Sequence, residues 1–531
     1  MAPFRAFWVL LALLLISSAD GYKILVYSQK NGHSQVSMMG QMADILVDAG
    51  HDVTVLLIEQ NPDVTTSGTQ KAKVVTIPAD EDVAKYFRND DHLAATWTMN
   101  SANPIAQRNL VLTYAQVFVK QCEYTVKQKE FFEDLRKERF DLMLHELFDH
   151  CQLGIMQMLD IERHVAVQST VLFEAVADAL GIPYHSSVTP AVFATAGSNM
   201  TIFDKVVNLL QVSISREFLT TIRTGEEDIF ERVLREKCVP FQKNIDDATY
   251  VITNSDPFLD FPHNTNARVV ELGGLTVKKP RELDQKWKAI LEKRDTVVLI
   301  SFGSVVKSST MPNEIKNAFA GMFKQLPEVT FVWKYEKDDT DFLAGISNVH
   351  TEKWVPQNDM LNHRNVKLFV THGGQNSVLE AARRGVPMMV VPLFADQMRN
   401  AKMVERVGNG IDFDRSGLQD PQKLTAGVRK VLMEIRFATA AKKVAAMISE
   451  RPQNQQETFV KHVEFAAKFG PVPNMVSHVP QMGFLSYNML DVAMVLLGGS
   501  VLSVVVAFCL IRKCRQCVCS RRQLKTKSKI V

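Results

Sequence analysis

The sequence predicts an α/β protein made of two Rossmann-like domains that face each other across an interdomain cleft, followed by one C-terminal transmembrane helix. Three observations lead there. Residues 23–58 and 296–335 each read strand, glycine-bearing loop, helix, strand, which is a βαβ unit on a parallel sheet. The 531 residues exceed one ordinary core, and 46% hydrophobic with 22% charged residues is a globular composition. Val492 to Ile511 is twenty residues without a charge; as a helix it spans about 30 Å, the thickness of a hydrocarbon core.

Taken in order, Arg5 precedes an apolar run, Ala6 to Ile16, and the small residues Ser17-Ser18-Ala19. This is the pattern of a cleaved signal peptide, residues 1–21, the run being short for a membrane span. Lys23 to Tyr27 predicts a buried strand and Ser28 to Gly32 its loop. Val36, Met39, Ala43 and Leu46 then fall on one helical face closed by Gly50, and Asp52 to Ile58 is the next strand. Phe140 to Leu144 predicts a further strand with polar residues at its carboxyl end. This first domain spans 22–275. A linker follows at 276–290, inside a charged stretch, Gly274 to Lys293, that carries Pro280. The second domain, 291–470, opens with a strand at Thr296 to Phe302 ending in Gly303-Ser304, a helix at Asn313 to Gln325 and a strand at Val329 to Tyr335. It closes with helical sequence after Arg436. Residues 471–491 are membrane-proximal, 492–511 the transmembrane helix and 512–531 a basic tail.

Charge narrows the function classes. The formal net charge is +3, but residues 512–531 hold eight Lys or Arg and no acid, which leaves 53 basic against 58 acidic residues elsewhere. A body of that balance is not a nucleic-acid binder. The Arg512-Lys513-Cys514-Arg515 stop places the tail on the cytosolic side and the body in a lumen. There Asn199-Met200-Thr201 is a usable N-glycosylation acceptor. Cys122, Cys151 and Cys238 allow one disulfide, and the sequence does not choose the pair. Cys509, Cys514, Cys517 and Cys519 lie at the membrane exit and suit palmitoylation better than zinc.

The chemistry concentrates between residues 354 and 401. Trp354 precedes Val355-Pro356-Gln357. Val366 to Val370 is an apolar strand running into Thr371-His372-Gly373-Gly374-Gln375-Asn376-Ser377. Glu380 follows, and then Pro392-Leu393-Phe394-Ala395-Asp396-Gln397. Gly373 and Gly374 permit a tight turn and close backbone approach. A helix starting near Gln375 and stopped by Gly385 and Pro387 offers its free N–H groups to a diphosphate. His372, Asn376 and Ser377 stand at that mouth. Glu380, one turn along, suits ribose hydroxyls. Trp354 offers a flat face to a uracil ring and Gln357 an amide to its edge. The ordered set describes a socket for a nucleotide diphosphate sugar.

These residues resemble the signature of the UDP-glycosyltransferases, specifically the membrane-bound animal UDP-glucuronosyltransferases, and the resemblance runs over nearly the whole chain. It implies the GT-B architecture and an inverting transfer of glucuronic acid or glucose from a UDP-sugar to a hydroxyl of a small lipophilic acceptor. Ser304, His372, Gly374, Asn376 and Ser377 would hold UDP, and Asp396 and Gln397 the sugar hydroxyls. The histidine following the first strand is the family's general base; here it is His33 in Asn31-Gly32-His33-Ser34. Its position at the carboxyl end of a parallel strand and its near-neutral titration fit that role. The family's orienting aspartate falls on Glu146, a departure, with Asp149 as runner-up.

No metal or other cofactor is expected. His145-Glu146-Leu147-Phe148-Asp149-His150 misses the zinc-helix spacing by one residue, and Asp412-Phe413-Asp414 reads as solvated loop acids. The implied partners are UDP-glucuronic acid or UDP-glucose, the acceptor and the lipid bilayer; homo- or hetero-oligomers stay open. Lys527-Ser528-Lys529 resembles a dilysine retrieval signal, so the expected place is the endoplasmic-reticulum membrane, single-pass type I, in a detoxifying role. Two other readings stay open: a dedicated sterol or lipid glycosyltransferase, and a non-catalytic, membrane-tethered UDP-sugar or lipid binder.

Overall fold

The computed structural model describes residues 21–89, 94–100, 103–234 and 240–527. Residues 1–20 of the expected signal peptide, Cys238 and Lys529 lie outside this range. Two all-parallel sheets organise the chain from Gly21 to Val476. The first has seven strands in the order β3-β2-β1-β4-β5-β6-β7. They are β1 (Lys23–Lys30), β2 (Asp52–Glu59), β3 (Lys73–Ile77), β4 (Leu142–Glu146), β5 (His164–Gln168), β6 (Val251–Thr253) and β7 (Val269–Glu271). The second has six in the order β10-β9-β8-β11-β12-β13. They are β8 (Val297–Ser301), β9 (Thr330–Lys334), β10 (Val349–Glu352), β11 (Val366–Thr371), β12 (Met388–Val390) and β13 (Gly410–Asp412).

Every pairing is parallel, so both faces of each sheet must be covered and the strands read as apolar runs. β8, Val-Val-Leu-Ile-Ser, is buried throughout. The helices that matter for the site, numbered as they enter, are α1 (His33–Asp48), α2 (Pro104–Val126), α3 (Cys151–Met158), α4 (Ile202–Leu234), α5 (Gln375–Arg384) and α6 (Gln397–Val407). α1 packs Met38, Met39, Met42 and Leu46 on Ile24, Val26 and Val53 of the first sheet.

Two segments depart from the division read from sequence. Residues 455–469, placed in the second domain, form a helix whose Phe459, Val463, Ala466 and Ala467 join the core of the first sheet with Ile24 and Leu142. The linker ends in a helix, Gln285–Leu291, whose Trp287 and Leu291 enter the core of the second sheet. Sequence order hides both, because an amphipathic helix does not say which sheet its apolar stripe will cover. The halves are further tied by Trp97 of the first, 2% exposed among Phe302, Val306 and Met311 of the second. Its indole Nε1 donates to Thr310 Oγ1 at 3.1 Å.

The disulfide joins Cys122 of α2 to Cys151 at the start of α3. Beyond Val476 a separate unit contains a helix, Leu490–Lys527, whose Leu490–Ser520 portion is long and apolar enough to cross a membrane. The helix does not stop at Ile511: it continues through the basic residues, which are themselves good helix formers.

Candidate active site

In each sheet the chain first builds outward on one side and then returns to build on the other. The order reverses between β1 and β4 in the first sheet and between β8 and β11 in the second. A crevice opens at the carboxyl ends of the two strands flanking such a reversal, and ligands bind there. His33 follows β1 and Glu146 ends β4; Ser304 follows β8 and His372 follows β11. The two crevices share one cleft of about 470 Å³, lined by His33, Ser304, Trp354, Gln357, His372, Gly374, Asn376, Ser377, Glu380, Asp396 and Gln397. His33 and the ten residues expected to hold the UDP-sugar thus line one surface; Glu146, its alternative Asp149 and the expected glycosylation residue Asn199 do not.

The donor half is built around α5. Its N-terminus at Gly374 leaves N–H groups free, and Gly385, at φ +67°, ends it as expected. Gly303 and Gly374 are obligatory in a different way: a Cβ at either would lie 2.7 Å or 2.6 Å from the His372 ring. The imidazole is therefore held between two bare backbone segments. Burial, and then the charge of Lys334, push its pKa down to about 4, so it is neutral and donates or accepts without carrying charge.

Gln357 Nε2 donates to Glu380 Oε2 at 2.7 Å and to Ser377 Oγ at 3.1 Å. Burial raises the Glu380 carboxyl to about 7, with Gln357 acting against it. Asp396 lies beside Asn400, whose Nδ2 donates to its Oδ2 at 2.7 Å, and burial raises it to about 6. Gln397 is oriented by its Oε1, which accepts from the N–H groups of Leu393 (2.9 Å) and Phe394 (3.2 Å). Ala395 between these residues has φ +55°, a conformation that costs a non-glycine residue energy and recurs at ligand-holding turns. Two residues beyond Gln397, Arg399 pairs with Asp260 of the first half at 2.7 Å, fixing the start of α6.

Asn376 does something the sequence does not announce. Its Nδ2 donates to Ser34 O at 3.3 Å, and its Oδ1 accepts from Asn254 Nδ2 at 2.7 Å. The donor-helix residue is thereby bonded to the peptide next to His33. His33 itself packs against Trp354, ring centroids 4.8 Å apart, so the ring expected to carry uracil also touches the expected base. The imidazole Nδ1 is 3.4 Å from Ser37 Oγ. Burial lowers its pKa, and Lys334 and Lys278 lower it further, which keeps a proton acceptor free at neutral pH.

No hydrogen bond joins Glu146 to His33. Glu146 is 1% exposed and neither carboxyl oxygen has a partner in full hydrogen-bond geometry. Burial raises it to about 7, and Ser169 and Gln35 offset part of the rise. Asp149 is engaged by other groups: it accepts from Tyr27 Oη at 3.1 Å and from Gln29 Nε2, and its charge acts on the buried Glu226. Burial, with Glu146 adding to it, raises Asp149 to about 8. The two metal-like motifs engage other protein groups, and Asp412 is not the solvated loop acid expected from the sequence but the last residue of β13. His145 is buried, with its Nε2 2.8 Å from His164 Nδ1. Asp412 pairs with Lys402 at 2.9 Å and Asp414 accepts from the Ser416 N–H at 2.9 Å.

Besides His33, the first half lines the cleft with Met38, Tyr86, Phe87, Leu110, Val111, Tyr114, Phe148, Phe193 and Phe218, together with polar Ser34, Gln35, Ser37, Gln41, Thr96, Ser169 and Thr170; the apolar and aromatic set forms a chamber. Among the described residues, none of these walls is a charged side chain. Sequence reasoning passed over it because its walls come from α1, α2 and α4, from the helix Glu81–Arg88 that carries Tyr86 and Phe87, and from loops far apart in the chain. It also passed over Lys334, whose Nζ donates to Gly303 O and to Glu336, each at 2.8 Å, and lies 5.5 Å over the Trp354 ring. The available signal was its place at the carboxyl end of β9, a strand of the reversal sheet.

Comparison with known proteins agrees with this geometry. A family model described as UDP-glucoronosyl and UDP-glucosyl transferase matches residues 22–530. The chain is 28% identical over 490 residues to "Putative UDP-glucuronosyltransferase ugt-47" of Caenorhabditis briggsae, covering 91% of each protein. It is 31% identical over 385 residues to "Putative UDP-glucuronosyltransferase ugt-55" of Caenorhabditis elegans, covering 72% of this chain and 74% of that one. Among solved structures, it is similar in fold to the glycosyltransferase VinC in complex with dTDP, with TM-score 0.57, 15% identity and coverage of 84% and 100%. The spinosyn rhamnosyltransferase SpnG complexed with thymidine diphosphate gives TM-score 0.54, 17% identity and coverage of 83% and 100%.

Proposed function

Because the chain belongs to the UDP-glucuronosyl and UDP-glucosyl transferase family and is a UDP-glycosyltransferase of GT-B fold, we propose that it transfers a glucuronosyl or glucosyl group, with inversion, to a hydroxyl of a small lipophilic acceptor. The observation that carries the reading is the meeting of two strand-order reversals across one cleft, with His33 and Trp354 in contact. His33 takes the acceptor proton. The acceptor oxygen forms a bond to C1 of the sugar as the bond from C1 to the phosphate oxygen breaks, through a transition state with oxocarbenium character. The electron pair of that bond leaves with UDP. Negative charge builds on the diphosphate, and the N-terminus of α5, Ser304, His372, Asn376 and Ser377 are the groups that would receive it. Trp354 and Gln357 would hold uracil, Glu380 the ribose, Asp396 and Gln397 the sugar. Glu146 would set the field around His33.

The uncharged aromatic chamber supports a neutral, apolar acceptor, and the apolar helix at Leu490–Ser520 supports anchoring in a membrane. With the basic stop after Ile511 and the exposed Asn199, the same reading places the body in the lumen of the endoplasmic reticulum, glycosylated at Asn199, after removal of a signal peptide.

Neither a metal nor another cofactor is assigned a part. Purified membranes given UDP-glucuronic acid or UDP-glucose and a panel of phenols and steroids should release UDP together with an acceptor heavier by one sugar, and EDTA should leave the rate unchanged. Turnover that stops on chelation and returns with a divalent ion would reassign the diphosphate to a metal. UDP-sugar binding without release on any acceptor would leave a non-catalytic binder.

A further inference from the structure

Helix α4 begins inside out. Asn208, Gln211 and Ser215 are fully buried, while Ile202, Phe203, Val206, Leu209 and Leu210 are between 50% and 83% exposed. At about 100° per residue those five apolar side chains fall within one third of the helix circumference. The inward amide N–H groups find acceptors, while Gln211 Oε1 stays buried without a partner. Asn208 Nδ2 donates to Ser186 O at 2.7 Å and Thr189 O at 3.0 Å, and Gln211 Nε2 donates to Gln107 Oε1 at 3.2 Å. The same bonds bring two neighbours to this end of the domain, Ile105 at the start of α2 (71% exposed) and Val188 (55% exposed). A helix facing water would carry the opposite pattern, and clustered apolar exposure of this kind marks an interaction surface.

We propose that this apolar end of the N-terminal domain rests on a lipid bilayer, and that it brings the acceptor chamber to the membrane. The inference rests on the membrane-anchored reading given above. Two observations favour lipid as the occupant. The chain carries its own apolar helix of membrane-spanning length, Leu490–Ser520, so a bilayer is always within reach of the domain. The patch and the chamber also share their helices: Leu110 and Val111 continue α2 beyond Ile105, and Phe218 continues α4 eight residues beyond Leu210, about 12 Å along the axis. An apolar acceptor dissolved in lipid thus meets the enzyme at the end of the two helices that wall its pocket.

Site-specific nitroxides test this in the full-length chain in phosphatidylcholine nanodiscs, with Cys238, Cys509, Cys514, Cys517 and Cys519 replaced by Ser. Labels are placed by Phe203→Cys, Leu209→Cys, Leu502→Cys within the expected span, and Glu81→Cys on an exposed helix. Labels at 203 and 209 should collide with dissolved oxygen more than with an aqueous nickel chelate, as at 502 and opposite to 81. Labels at 203 and 209 that behave like 81 overturn the proposal. Labels shielded from both probes also overturn it and assign the patch to a second copy of the chain or to the Asn199 glycan. An aqueous signal at 502 defeats the anchor reading itself, and the proposal falls with it. As a functional arm, Phe203→Asp with Leu209→Asp should raise the apparent KM severalfold for an acceptor that partitions into lipid and leave it unchanged for a water-soluble one. Equal effects on both acceptors, or none on either, count against delivery from the bilayer.

Discussion

His33→Ala should abolish transfer while leaving UDP affinity within about a factor of two or three, since removing a positioned general base costs about 10²–10⁴ in rate. The base and the donor-holding residues sit on different sheets: His33 follows β1, whereas Ser304, His372, Asn376 and Ser377 lie beyond β8 and β11. Asn376 bonds to the Ser34 carbonyl, a backbone group that the substitution retains. The modest allowance on affinity has a physical source, because the ring lost from Trp354 is one of its packing partners. Titration calorimetry with UDP, run beside product formation by the same preparation, separates the two effects. Affinity that collapses in step with rate would make His33 a donor-binding residue.

The second large effect is expected at Glu146. Glu146→Gln keeps shape but removes the charge, and turnover should fall. With no hydrogen bond from Glu146 to His33, the fall should stay below the loss of about 10⁴ seen when an acid bonded directly to a catalytic histidine is made neutral in serine proteases. Glu146→Asp should keep partial activity. Asp149→Asn should change turnover little, since Tyr27 and Gln29 already occupy that carboxylate. Inactivation by Asp149→Asn but not by Glu146→Gln would move the supporting acid to Asp149.

Both substitutions also have a signature in stability. Glu146 is raised by burial from 4.5 to about 7 and Asp149 from 3.8 to about 8. A carboxyl raised in the folded state binds its proton more tightly there than in the unfolded chain. Its contribution is fully present below the unfolded value and is lost as pH rises through the folded one. Tm should therefore decline less steeply between about pH 5 and 8 in either variant than in the parent. A variant whose Tm follows the parental curve throughout would show that its carboxyl does not titrate in that window.

The architecture was legible because parallel strands buried on both faces announce themselves as short apolar runs, and because Gly303, Gly373 and Gly385 mark the turns between strand and helix. Asn313–Gln325 and Gln375–Arg384 begin and end where the sequence places them. Apart from Ser304, the donor residues were legible as one ordered stretch from Trp354 to Gln397, centred on the β11–α5 turn. What escaped comes from distance. The aromatic chamber takes its walls from α1, α2, α4, the helix Glu81–Arg88 and separate loops. Lys334 is one residue of a buried strand, with no motif around it. The bond from Asn376 to Ser34 spans 342 positions. Glu146 was singled out by position, but the sequence cannot show that its oxygens lie buried with no partner in full hydrogen-bond geometry while Asp149 is the acid that Tyr27 and Gln29 engage. Likewise, no sequence signal was read for α4, which begins with polar Asn208 and Gln211 facing inward and Ile202 and Phe203 facing out.

The most direct measurement of the central claim is the configuration of the new glycosidic bond. The parent protein is incubated with α-linked UDP-glucuronic acid or UDP-glucose and a neutral phenol, and the product is read by mass spectrometry and by the proton coupling at C1. If His33 activates the acceptor for in-line attack across the cleft, at least one donor is consumed with one UDP released per product, and the product is the β-glycoside. An α-glycoside, or a protein that binds UDP and transfers neither sugar to any hydroxyl acceptor, would contradict it.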